Sequence, residues 1–191
     1  MSLSPGTVLD FWFDAPARRL WFSKDEAFDN EVRRRLEEPL ARAVAGELGA
    51  WETGAEGALA LVILLDQVPR NIYRGSPRSF GHDALARRLA QQSIKRGFDQ
   101  RLAPDRQFFF YLPFEHGENA DDQRRSVALF RPWVDRHDGP DRERAEQQFL
   151  YVLRHQEIIE RFGRFPHRNA ILGRSSTEDE ERFLNEPMSS F

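Results

Sequence analysis

The sequence predicts an all-helical fold, and three observations carry that expectation. Apolar residues recur at helical spacing, as in Phe28, Val32 and Leu36, or Ala145, Phe149, Val152, Ile159 and Phe162. Two signatures of Ser or Thr followed three residues later by Glu, Ser23 with Glu26 and Thr177 with Glu180, read as capping boxes. No segment shows the alternation of apolar and polar residues that a half-buried strand needs.

Taken in order, Ser4 and Pro5 look like a helix cap and first helical residue. The helix opened at Ser23 is expected to stop or kink near Pro39, because proline lacks an N–H and its ring presses on the preceding turn. A further segment, Leu40 to Ala45, then runs to Gly46 as a left-handed cap. Gly57 to Gln67 is apolar on every side; its length and its alanines and leucines favour a buried central helix over a buried strand. Helices follow at about 83–96, 105–112, 119–134 and 141–162. Asp135 to Arg144, with Gly139-Pro140, reads as a surface loop, and the last helix opens at Thr177 and ends before Pro187. That makes about eight helices in a single domain spanning 1–191, with no repeat of fixed period.

Composition narrows the functional classes. A chain of 191 residues that is 40% hydrophobic and carries sixteen phenylalanines has the apolar surface to fold around a core. No run approaches the roughly 20 apolar residues of a membrane helix, and the N-terminus lacks a basic stretch followed by an apolar one. With no cysteine, a cytoplasmic location is expected. A net charge of -3 and a pI near 6.0 offer no general attraction to nucleic acid. Of the 28 basic residues only Lys24 and Lys95 are lysine. That arginine excess suits bidentate recognition of carboxylates or phosphates, and genomic base composition explains it equally well.

Two similar corners stand out: Pro69-Arg70-Asn71 with Arg74-Gly75, and Pro166-His167-Arg168-Asn169 with Gly173-Arg174. Each is read as a proline just after a helix, then residues suited to turns and to bonding the free carbonyls of a helix end. Asp66, at the end of the central helix, is expected to be partly buried and to need a cation; Arg70 and Arg168 are the candidates. The alternatives are a structural ion pair and a ligand-facing arginine cluster.

If Pro113 to Gln123 is helical, Glu115, Glu118 and Asp122 share a face and call for something positive opposite, arginine before a metal ion. The Glu-x-x-His pairs of di-iron bundles and the His-Glu-x-x-His zinc motif are missing, so no metal or other cofactor is expected. His155, between Val152 and Ile159, faces the core side; it is read as a satisfied core histidine or, with His116 and His167, as a group able to titrate in a site. Nucleophile-elbow, phosphate-loop and dinucleotide patterns are absent. The four tryptophans, Trp12, Trp21, Trp51 and Trp133, are read as packing anchors.

With these residues assembled, the chain resembles a bacterial family known as domain of unknown function family 924. The resemblance rests on Phe11-Trp12-Phe13, Trp21-Phe22, Leu64-Leu65-Asp66-Gln67 with the first corner, Pro113-Phe114 with His116 and Glu118, and Arg161-Phe162-Gly163-Arg164-Phe165 running into the second corner. It implies a right-handed stack of antiparallel helix pairs similar to tetratricopeptide repeats, and no established activity. The family pattern usually carries a serine where Gly117 stands here, so no role for that hydroxyl is carried over.

Three functional readings remain. In the first, a polar pocket binds a small anionic ligand through Asp66, Arg70, Asn71 and Arg74, through Glu115, His116, Glu118, Gln123 and His155, and through Arg164, His167, Arg168, Asn169 and Arg174. In the second, the helices form a scaffold for a peptide, which needs an open groove not filled by the chain's own segment 181–191. In the third, the polar residues are a buried ion network with no ligand.

Overall fold

The computed structural model describes residues 3–190, all of whose regular elements are helical. The chain divides into two compact units, Met1–Arg74 with Arg78–Pro113, and Gly75–Pro77 with Phe114–Phe191.

In the first unit α1 (Pro5–Trp12) is capped by Ser4, whose hydroxyl accepts the Thr7 N–H while Thr7 bonds back to the Ser4 N–H. After a short α2 (Ala15–Arg18) comes α3 (Glu26–Val44). Its cap is Asp25, which accepts the Phe28 N–H at 2.7 Å, and not Ser23 as the capping-box pattern predicts. Nor does the helix stop at Pro39. An internal proline costs about 3 kcal/mol locally, but Leu36, Pro39, Leu40 and Ala43 are buried on a helix that packs along α4, and this tertiary burial outweighs one lost ladder bond. The left-handed Gly46 follows as expected, with φ of 78°.

The central helix α4 (Ala55–Ile72) is buried on every side from Gly57 through Pro69 and packs against α1, α3 and α5 (Asp83–Lys95). It is longer than the apolar run suggests, because it continues through Pro69, which therefore lies inside a helix and not after one. The Arg70 guanidinium reaches back to the Asp66 carbonyl at 2.6 Å, reinforcing the turn that Pro69 weakens. At the other end, Gly57 lets α4 approach the single-turn helix at Gly49–Thr53. A Cβ at Gly57 would stand 2.2 Å from the Trp51 carbonyl oxygen and 2.9 Å from its carbon. Gly57→Ala is therefore expected to destabilise by about 2 kcal/mol or more, read as a lower urea midpoint at unchanged slope; an unshifted midpoint would contradict this close packing.

Tryptophans 12 and 21 are packing residues, as expected: Trp21 sits edge-on to Phe109 at 4.7 Å and donates its Nε1–H to the Trp12 carbonyl. Phe109 lies on α6 (Pro104–Glu115), whose last two residues belong to the second unit.

In that unit α7 (Ala120–Val134) pairs with α8 (Gly139–Phe162). Gly139-Pro140 opens α8 and is not part of a surface loop, consistent with the preference of proline for the first helical turn. Gly163, at φ of 69°, ends α8 in a left-handed cap. A turn at Pro166–Arg168 leads into α9 (Glu178–Phe183), capped by the predicted Thr177–Glu180 box. Phe183 of α9 packs on Phe162 at 5.0 Å, beside Ile158, Ile159 and Phe165.

Candidate functional site

The predicted polar residues fall into a set in each unit. In the first, Asp66 is fully buried; it takes the Gln67 side-chain amide and stands 3.4 Å from the Arg70 guanidinium. Arg70 makes a two-pronged contact with Asp83, at 2.9 and 3.0 Å. Asn71 and Arg74 both bind Asp29 near the start of α3, and Arg74 also reaches the Ser23 carbonyl. Asp29 and Asp83, the acids that hold this corner, escaped sequence reasoning.

The second unit holds the richer set. The corner after α8 folds back through Arg174 N–H to the Asn169 carbonyl at 2.8 Å. This brings the Arg174 guanidinium onto Glu118 in a fork of 2.7 and 2.9 Å and onto the Phe165 carbonyl, while Glu118 also accepts the Phe165 N–H. Arg164 forks onto Glu180 at 2.6 and 2.7 Å, and Glu180, 2% exposed, further accepts the Thr177 N–H and the Asn169 amide. Of the arginines expected to meet a ligand, Arg70, Arg74, Arg164 and Arg174 each grip a carboxylate of the chain itself, which is the geometry of an ion lock.

The predicted acidic face does not form. Helix α6 ends at Glu115 and α7 begins after the Asn119 cap, so Glu115, Glu118 and Asp122 lie on three different pieces of backbone. Gln123 explains the break: its side-chain amide donates to the Phe114, Glu115 and Gly117 carbonyls, satisfying the end of α6. A Cβ at Gly117 would meet Asp122 Oδ2 at 2.5 Å, so the serine that the family resemblance suggests there requires Asp122 to move.

His155 is 4% exposed, as its place on the apolar face of α8 predicts. Its Nδ1 lies 2.8 Å from the Tyr151 carbonyl and 3.1 Å from a Glu115 carboxylate oxygen. Two acceptors at one nitrogen place the proton on Nδ1. Burial is the main reason that its pKa falls to about 3, reinforced by the charges of His116, His167 and Arg168 against the opposing Tyr151 bond. The contact with Glu115 is thus a hydrogen bond from a neutral imidazole. His167, stacked on Phe165 at 5.6 Å, is lowered to about 4, again chiefly by burial and then by Arg168. Burial pushes the Glu118 carboxyl up, but the Arg174 and Phe165 bonds and the Arg168 charge together leave it below its usual value. Arg168, 6% exposed, lies over the Phe165 ring at 4.7 Å. Within this set the Arg174 Nε–H and the Asn169 Oδ1 are buried without a hydrogen-bond partner.

Among the described residues no three His, Asp or Glu side chains are placed to hold a metal ion, and no helix is long and apolar enough to cross a membrane. A recess of about 220 Å³ lies in the first unit, among residues that include Glu52, Leu61, Leu65 and Arg88; none of the predicted site residues lines it.

Fold and site together define an all-helical protein whose polar corners are locked by paired arginines and acids, with a buried histidine cluster in its second unit. The chain belongs to the family described as bacterial protein of unknown function (DUF924), which it matches over residues 8–188. It is similar to the solved structure of a protein of unknown function, ATU0120, from Agrobacterium tumefaciens, at 41% identity over 95% of this chain and 96% of that chain, with a TM-score of 0.82. No curated protein matches it.

Proposed function

We propose that the second unit binds a small oxyanion at the cluster of Arg168, Arg174, His116, His155 and His167. The observation that carries this reading is the buried Nε–H of Arg174, which has no acceptor although both terminal nitrogens of the same guanidinium are bonded to Glu118. A buried donor left unmade costs about 1–3 kcal/mol, and an anion oxygen removes that cost. Asn169 Oδ1 is a buried acceptor in the same corner. An anion that also carries an O–H, such as hydrogen phosphate or a hydroxycarboxylate, offers a partner to both. The ring of Phe165 supplies an apolar wall, and neutral imidazoles can donate or accept without adding charge.

The scaffold reading is less well supported in this unit. The segment after α9 packs on α8, with Arg154 donating to the Met188 carbonyl, so the chain itself occupies that face.

An anion placed beside His167 favours the imidazolium, so binding is expected to take up a proton near neutral pH or below and to tighten as pH falls. Calorimetric titration of phosphate and malate in two buffers of different ionisation heat measures that uptake directly. The site is expected to stabilise in thermal melts with these anions and to lose most of the shift in His167→Gln. If neither anion stabilises the protein, or if the His167→Gln shift is unchanged, the oxyanion reading is wrong.

A further inference from the structure

The recess in the first unit combines an apolar floor with an uncommitted charge of each sign. Its floor is made by Leu61 and Leu65 of α4, Leu85 and Leu89 of α5, and Leu48. Along α4 the residues from Ala58 to Leu65 are 0% exposed except Leu61 and Leu65, at 4% and 3%, the two that open onto this space. The rim carries Arg88, Gln92 and Glu52. Arg96 fixes the turn that bears Glu52 by donating to the Glu52 carbonyl at 2.6 Å.

Most arginines hold a carboxylate, a carbonyl or a ring, as Arg70, Arg33 and Arg131 do. Arg88 and Glu52 make no side-chain ion pair or hydrogen bond among the described residues, though both border the same recess. One cation, one anion and an amide around an apolar pit complement a zwitterion with an apolar side chain. The volume is below the roughly 300–1,000 Å³ of drug-sized sites, which points to a single small metabolite.

We infer that this recess binds an apolar α-amino acid, its carboxylate at Arg88, its ammonium at Glu52 and its side chain among the leucines. Burial of the side chain supplies the affinity, and the paired rim charges supply selectivity for the zwitterion. The site is independent of the histidine cluster.

Titration of the full chain with L-leucine and L-phenylalanine, followed by calorimetry or by leucine methyl shifts in NMR spectra, tests it. Hexanoate and hexylamine serve as probes that keep one charge each. Saturable binding of the amino acids is expected, with both single-charge probes about tenfold weaker or more. Arg88→Gln and Glu52→Gln, both exposed, are each expected to weaken leucine about tenfold. Gly49 also lines the recess, and a Cβ there meets nothing within 4 Å, so Gly49→Phe should fill the pit and abolish binding. Absence of saturable amino-acid binding overturns the inference. So does binding that survives Gly49→Phe, or hexanoate binding equal to that of leucine. If Gly49→Phe fails to fold, the two rim variants decide: affinity unchanged in both rejects the site.

Discussion

Glu180→Ala is expected to destabilise the protein by about 3 kcal/mol, because one buried carboxylate satisfies donors from three places. It neutralises the Arg164 fork, takes the Asn169 amide of the second corner and completes the α9 capping box through Thr177 N–H. Truncation leaves Arg164 without its counter-charge and loosens the helix that seats Phe183 against Phe162. The figure sits low in the range for broken buried pairs because Arg164 is 30% exposed and can rehydrate. The Arg164 bond is the main reason that the Glu180 pKa falls to about 2, so its contribution is present above the ordinary value of 4.5 and is lost only as pH falls through about 2. Urea unfolding at pH 7 measures the loss. The double replacement Arg164→Met with Glu180→Leu is expected to recover much of it, since an apolar pair leaves no buried charge behind. A double variant as unstable as Glu180→Ala would show instead that the bond to Asn169 and the cap carry the effect.

Local signals in the sequence were sufficient for the helices and poor for what holds them together. The Ser4 and Thr177 caps, the buried run of α4 and the inward face of His155 are properties of neighbouring residues, and they appear as expected. Pro39 and Pro69 misled because the local cost of a proline says nothing of how much apolar surface the helix buries on either side of it. Ser23 matched the capping pattern, yet Asp25 two residues on took the role with a direct bond to the Phe28 N–H. The acids that pair with the corner arginines were not legible as partners. Asp29, Glu118 and Glu180 lie 45, 56 and 16 residues from Arg74, Arg174 and Arg164, and no periodicity links them. Glu118 and Glu180 were both visible, but as a member of an acidic face and as a helix cap. The recess rimmed by Arg88 and Glu52 had no sequence signal, since it arises where α4, α5 and the turn at Gly49–Thr53 leave space between them.

The buried histidines make the strongest prediction about pH. A neutral imidazole that resists protonation in the folded chain gives the unfolded chain the greater proton affinity, so stability rises with pH below about 6.5 and is flat above it. With folded values of about 3 for His155 and about 4 for His167, neither is much protonated in the native state at pH 4.5, whereas both are in the unfolded state. Each then removes at most about 2.5 kcal/mol between pH 7 and 4.5, and the two together less than twice that, because part of the His155 shift is the charge of His167 itself. Even one such loss is a large fraction of the stability of an ordinary domain. The window separates them from the carboxylate lock, because the Glu180 contribution is intact above its unfolded value of 4.5 and begins to be lost only below it. Urea unfolding free energies across this range are expected to climb steeply with pH. His155→Asn, which keeps a side-chain donor for the Tyr151 carbonyl and Glu115, and His167→Gln should each remove about half the slope, whatever either does to stability at pH 7. A flat wild-type profile from pH 4.5 to 7, or slopes unchanged in both variants, would mean that these imidazoles take up protons in place and that the cluster is more open to water than its burial implies.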